Sequence, residues 1–268
     1  MINTLIGVSV VGICFFKTKN LRLEGEIMAK NKEEIKWKLP KKHQPVWFVF
    51  KRIFKLFCRV KKVEFLGEKF TDKCIIISNH NNKKGPMVYE LNLPTRHATW
   101  GAYQMLGPYK MRFRYLRDVL YIQKNGMKKG KATFKAMIEA CFSLFTYRGM
   151  KILPSFPDAR FRRTLQYSMD CLDAGLNVSM YPEDSNQGYF DEMHHFFPGF
   201  VMLAEQYYKK TGIDLPIYPA YYGRKKKKIV VGKPLYVQDF VKEGLKREEI
   251  ADKFRQEVNR LYYDHFKE

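Results

Sequence analysis

Apolar positions recur along this chain with two periods, and the switches between them outline its elements. Residues 45–62, "PVWFVFKRIFKLFCRVKK", carry charges at Lys51, Arg52, Lys55, Arg59 and Lys62 and large apolar side chains almost everywhere else. Those charges keep a 3.6-residue period, so the spacing predicts an amphipathic helix with a narrow basic stripe beside a wide aromatic face. "KKVEFLGE" then alternates like a strand, and "CIIIS" is an unbroken apolar run ending in Ser78. A β-branched run between turn signals predicts a central strand covered on both faces. Beyond Gly85-Pro86, "MVYELNL" reads as a short helix and "HATWGA" as a strand. A long helix is predicted over 128–147, a strand at "MKILPSF", and a helix over 160–174 closed by Gly175. "NVSMYPED" is a strand running into a turn, and 198–210 a helix between Pro198 and Gly212. "LPIYPAYYG" and "KKIVVGKPL" are strands joined by "GRKKKK", and Ile250, Phe254, Val258 and Leu261 mark one face of a last helix. Strands alternating with helices predict an α/β fold: a layered, mostly parallel sheet flanked by helices, with the N-terminal basic amphipathic helix set to bind a membrane.

Composition narrows the partners. The 268 residues suit one sizeable α/β domain over 63–268, preceded by the helix at 45–62 and an extension over 1–44. With 46% apolar and 15% aromatic residues the chain is no disordered basic tail, and 49 Lys and Arg against 27 Asp and Glu leave a net charge of +22. Such an excess favours nucleic acid or an anionic membrane surface. The aromatics sit in apolar runs instead of interleaving with basic groups on a sheet, so no nucleic-acid partner is expected. Trp47, Phe50, Phe54 and Phe57, with Lys51, Arg52, Lys55 and Arg59, form the expected membrane-facing set. The protein is expected on the cytoplasmic side of the cell membrane, peripheral or monotopic. Residues 5–16 are apolar for only 12 positions, where a span needs about 20. Residues 1–27 are read as a weak anchor or as an extension ahead of Met28, which begins "MAKNKEEIKW". The five cysteines are scattered and read as reduced thiols.

In α/β sheets ligands gather at the carboxyl ends of the strands. "IIISNH" delivers His80 to one such end, and "VSMYPED" delivers Glu183 and Asp184 to another. A neutral histidine can act as general base toward a hydroxyl. A helix starting at Gly85-Pro86 would disfavour the imidazolium and could attract a phosphate. His194 and His195 are adjacent, point to different sides, and make no metal pair; no metal site is expected. The basic turn at 224–228 reads as a solvated hairpin that can touch lipid headgroups.

The order of these segments resembles the glycerophospholipid acyltransferase family, typified by 1-acylglycerol-3-phosphate acyltransferases, in what looks like a divergent bacterial branch. "SNHNNKKGP" is similar to the family's Asn-His-x4-Asp block at Asn79 and His80, and "YPEDSNQG" to its Phe-Pro-Glu-Gly-Thr block at Pro182 and Glu183. "FFPGFVMLA", with Gly199, looks like the helix start that follows, and "LPIYPAYYG" like its proline-containing strand. The resemblance implies transfer of a fatty acyl group from acyl-CoA or acyl carrier protein to the hydroxyl of a lysophospholipid. His80 would be the base, Glu183 would position the acceptor, Asn79, Pro182 and Gly199 would touch substrate, and no cofactor beyond the acyl donor would be needed. Two departures stand out. Gly85 occupies the family's aspartate position, which leaves Glu90 or Asp184 as replacement acids. The family's phosphate-gripping arginine is also displaced, with Arg160 nearest and Arg163 behind it. The alternative implied by Gly85 is a non-catalytic relative that binds lipid or acyl carrier protein.

Overall fold

The computed structural model describes residues 35, 37–41, 44–81, 85–183 and 190–267. The expectations for residues 1–27, and the candidate Asp184, lie outside them. Within the described residues seven strands form one sheet: β1 (Lys62–Phe65), β2 (Ile75–Ser78), β3 (His97–Ala102), β4 (Ile152–Ser155), β5 (Asn177–Met180), β6 (Ile217–Gly223) and β7 (Lys228–Val231). Their order is β1-β7-β6-β2-β5-β3-β4. All neighbours run parallel except β6 and β7, which form the antiparallel hairpin turned by the lysine-rich loop. β2 lies mid-sheet with Ile75, Ile76 and Ile77 wholly buried, as a continuous β-branched run requires. The chain leaves β2 toward β3 on one side and β5 toward β6 on the other, so a crevice is expected where β2 and β5 end.

The helices are α1 (Pro45–Phe57), α2 (Gly85–Asn92), α3 (Tyr109–Arg114), α4 (Lys129–Gly149), α5 (Phe161–Asp173), α6 (Gly199–Thr211), α7 (Val237–Lys242) and α8 (Arg247–His265). A π-helical stretch, Tyr115–Lys124, continues α3. On one face of the sheet Ile75, Ile77 and Val178 pack with Leu165, Phe200 and Phe254 of α5, α6 and α8. On the other, Ile76, Tyr218 and Val231 meet Val88 and Tyr89 of α2.

Several expectations need correction. The helix predicted over 45–62 ends at Phe57; Arg59 lies in the connector and Lys62 opens β1. Pairing with the β6–β7 hairpin takes over there, since the Lys61 N–H already donates to the Lys227 carbonyl at 2.7 Å. Trp47 does not face outward. Its indole lies against the backbone of Gly149, where any side chain would collide with it, and meets the Phe145 ring edge-on at 5.8 Å. Phe54 is half-buried beside Trp47, at 5.9 Å between rings. Phe50, Phe57, Arg52 and Lys55 remain exposed. Residues 103–124, for which the pattern predicts nothing, hold a 3₁₀ turn, α3 and the π-helix. An i→i+5 ladder does not keep the 3.6-residue rhythm by which helices are found in sequence.

Candidate functional site

Beyond β2 the chain turns sharply, and side-chain amides hold the turn. Asn79 is only 1% exposed. Its Oδ1 accepts from the Tyr89 hydroxyl at 2.7 Å and the Tyr222 N–H at 2.9 Å, and its Nδ2 donates to the Tyr222 carbonyl at 3.2 Å. The residue expected to touch substrate is therefore a buried clamp between the ends of β2 and β6. Asn81 adopts a left-handed φ of 40° and adds a second bond to that carbonyl, at 2.5 Å. Between the two asparagines sits His80, half-buried.

The His80 N–H donates to Glu183 Oε1 at 2.9 Å. Residues 103 positions apart are thus joined where the neighbouring strands β2 and β5 end. Glu183 is placed by buried Pro182, whose carbonyl accepts from the Phe197 N–H at 2.8 Å, and by an isolated bridge to Phe196. Burial pushes its carboxyl up to about 7, against the opposing pull of the His80 N–H and the Lys124 charge. Lys124 ends the π-helix, so the stretch without a sequence signature reaches this site electrostatically.

Tyr181 completes the cluster. Its ring meets His80 edge-on at 5.1 Å and Tyr89 at 5.9 Å. The Tyr181 hydroxyl is buried without a hydrogen-bond partner among the described residues. Burial, then the charges of Glu90 and Glu183, hold its pKa well above the ordinary phenol value. Only its place within "VSMYPED" could have singled it out.

The glycine at position 85 is a steric requirement. A Cβ there would collide with the His80 carbonyl oxygen and lie 2.8 Å from its carbon. α2 begins against the histidine's own backbone, and no side chain of any kind fits.

The remaining candidates lie elsewhere. Glu90 is 2% exposed, and its Oε1 accepts from Lys51 at 3.2 Å and Lys151 at 3.0 Å. Its Oε2 lies 3.7 Å from His97 Nε2. Burial raises the Glu90 pKa, but neighbouring His97, Lys151 and Lys51 outweigh it and hold the carboxylate ionised. Burial pulls His97 down to about 4, so at neutral pH the two lysines carry the charge. Glu90 therefore serves a buried ion-pair hub that also engages Lys51, a residue expected to face the membrane, and it does not orient His80. Arg160 is forked onto Asp158, with Nε at 2.9 Å and Nη2 at 2.7 Å, and stacks over Phe156 and Tyr103. That pairing secures the turn into α5 rather than leaving the guanidinium to a phosphate. Arg163 is exposed on α5. Gly199 opens α6 against the rings of Phe161 and Trp100, each 3.1 Å from where a Cβ would be. It permits close packing and does not line the site. Among the described residues no group of three or more His, Cys, Asp or Glu gathers as metal ligands would.

The chain matches no protein-family model and no curated protein. Among solved structures it is similar to one described as the crystal structure of the 1-acyl-sn-glycerophosphate (LPA) acyltransferase, PlsC, from Thermotoga maritima. The two share 14% identity with a TM-score of 0.45, over 83% of this chain and 79% of that one.

Proposed function

We propose that the protein transfers an acyl group from a thioester, acyl-CoA or acyl carrier protein, to the hydroxyl of a lysophospholipid at a membrane surface. One observation carries this reading: the 2.9 Å bond that joins His80 to Glu183 at the sheet's switch point. His80 takes the proton of the acceptor hydroxyl as its oxygen attacks the thioester carbonyl. The C–O bond forms, the tetrahedral intermediate collapses, the C–S bond breaks, and the proton passes to the leaving thiol. Glu183, with a pKa near neutrality, orients the acceptor through hydrogen bonds. In this reading the Tyr181 hydroxyl, which is buried without a partner among the described residues, donates a hydrogen bond to the acceptor oxygen once it has entered the cluster. The apolar side chains that α1 exposes, Phe48, Ile53 and Phe57 among them, lie in the interface and bring the site to its lipid.

Replacing His80 with alanine tests the mechanism. Thiol release from acyl-CoA in the presence of lysophospholipid should fall about 10²–10⁴-fold, the range general-base catalysis supplies, while the melting temperature stays unchanged. Turnover that survives the change would exclude His80 as base. The crowding at Gly85 favours a second reading, a lipid- or acyl-carrier-binding protein without turnover, because the family's acid cannot stand there. A parent protein inert toward every donor and acceptor pair, yet binding either, would support that reading.

A further inference from the structure

A cleft of about 870 Å³ lies beside these strand ends, where the end of α1, the start of α2 and the β6–β7 hairpin meet. Asn81, the residue after His80, forms part of its wall. Among the described residues four cations line it, Arg59, Lys61, Arg224 and Lys227, and no carboxylate does. None of the four is in an ion pair among the described residues, whereas Lys228, next along the hairpin, is paired with Glu64 at 3.0 Å. The walls are fixed by backbone: the Lys61 N–H holds the Lys227 carbonyl, and Lys227 itself adopts a left-handed φ of 49°. Four like charges around one concavity repel until an anion enters.

Part of the lining is apolar. Leu56 and Phe57 line the cleft while remaining 78% and 79% exposed, and they continue the exposed face of α1. A cationic recess at the end of an uncovered apolar helix face fits an anion that carries long hydrocarbon chains.

We propose that this cleft receives the phosphate of an anionic bilayer phospholipid whose acyl chains run along α1. The bound lipid is a docking ligand and not a reactant: it sets the depth and orientation at which the chain presents His80 and Glu183 to the bilayer. Binding is measured without turnover, so the proposal stands or falls apart from the acyl-transfer reading.

The test uses the full chain and two variants of equal charge loss. One neutralises the cleft (Arg59→Gln, Lys61→Gln, Arg224→Gln, Lys227→Gln). The other neutralises exposed cations elsewhere (Arg162→Gln, Lys209→Gln, Lys242→Gln, Lys267→Gln). On phosphatidylcholine vesicles carrying about 20 mol % phosphatidylglycerol, the cleft variant should lose at least about tenfold in affinity and the control at most about twofold. Equal losses would mean diffuse attraction to the +22 chain, and undiminished binding by the cleft variant would equally overturn the proposal. Hydrogen exchange on the unmodified protein gives a second reading, independent of how the variants fold. The vesicles should protect residues 56–61 and 224–227. Protection by soluble coenzyme A or inorganic phosphate, with none from vesicles, would assign the cleft to a soluble phosphate and sink the docking lipid.

Discussion

α8 and α4 are both long helices against the same sheet, and they are amphipathic in opposite senses. α8 turns Ile250, Phe254, Val258 and Leu261 inward and keeps its ion pairs, such as Arg260 with Glu257, on the outside. α4 turns Ala132, Ala136 and Ala140 inward and leaves Phe134, Ile138 and Phe142 in the open. The alanines let Met105, Leu116 and Tyr121 approach closely, but the large side chains gain nothing from the fold. α1 repeats the inversion: it buries Trp47 and exposes most of its other apolar residues. The edge-on contact of Phe50 with Phe145, at 5.0 Å, merges the two helices into one patch. An uncovered apolar surface of that kind marks a site of encounter. One side of the sheet carries the packed core, and the other leaves an apolar patch uncovered. His80 meets Tyr181 edge-on, and Tyr181 leans on Tyr89 of α2, so the candidate site belongs to the second side.

The sharpest way to break this contrast is to truncate one ring on each side. Phe254→Ala should cost about 3–5 kcal/mol of stability in urea unfolding, as loss of a buried ring does. Phe142→Ala removes a ring that is 68% exposed and should change stability by less than about 0.5 kcal/mol. Its effect should appear in vesicle binding. Comparable losses of stability would show that α4 packs as conventionally as α8.

Next in size is Gly85→Ala. A methyl group there must displace the His80 carbonyl or the start of α2, and such overpacking costs about 3 kcal/mol when backbone has to move. Thiol release should fall with it, because the same shift moves the imidazole. A variant as stable and active as its parent would mean that the two segments part easily and that an acid at 85 is sterically open.

The contrast also explains what the sequence could reveal. The central position of β2 was legible in "CIIIS" because β-branched residues on both faces leave no solvent side. The inward stripe of α8 was legible for the same reason: burial imposes a period. α1 was legible as a helix, but the roles along it were not. Trp47 and Lys51 are claimed by Gly149 and Glu90, partners 102 and 39 positions away, and no local pattern encodes them. Glu90 read as a spare acid for His80 because its lysines arrive from other elements. The π-helix escaped notice because its ladder lacks the helical period, and with it went Lys124.

A pH experiment sharpens the picture around Glu183. Its pKa is raised from the ordinary 4.5 to about 7 by burial, so the native state holds the proton more tightly than the unfolded chain. The stabilisation is complete below about 4.5 and is lost as pH rises through about 7, at most about 3 kcal/mol in all. Glu183→Gln keeps an acceptor for the His80 N–H and has no charge to bury. Its stability relative to the parent should climb between these values and level off above them. Parallel pH profiles for the two proteins would place the carboxylate in water.

The smallest expected effect is the most discriminating, because it has two signs. The Tyr181 hydroxyl is buried without a partner among the described residues, and the Tyr181 ring meets the His80 ring edge-on at 5.1 Å. An unsatisfied buried hydroxyl costs about 1–3 kcal/mol, so Tyr181→Phe should stabilise the protein by about 1 kcal/mol. If that hydroxyl is reserved for a substrate oxygen, the same change should lower turnover about tenfold, the cost of one lost hydrogen bond of about 1.4 kcal/mol at the transition state. Stability and activity would then move in opposite directions. A gain in stability with full activity would make the hydroxyl a packing defect. A loss of stability would mean that it has a partner after all, and the reaction centre would shrink to His80 and Glu183.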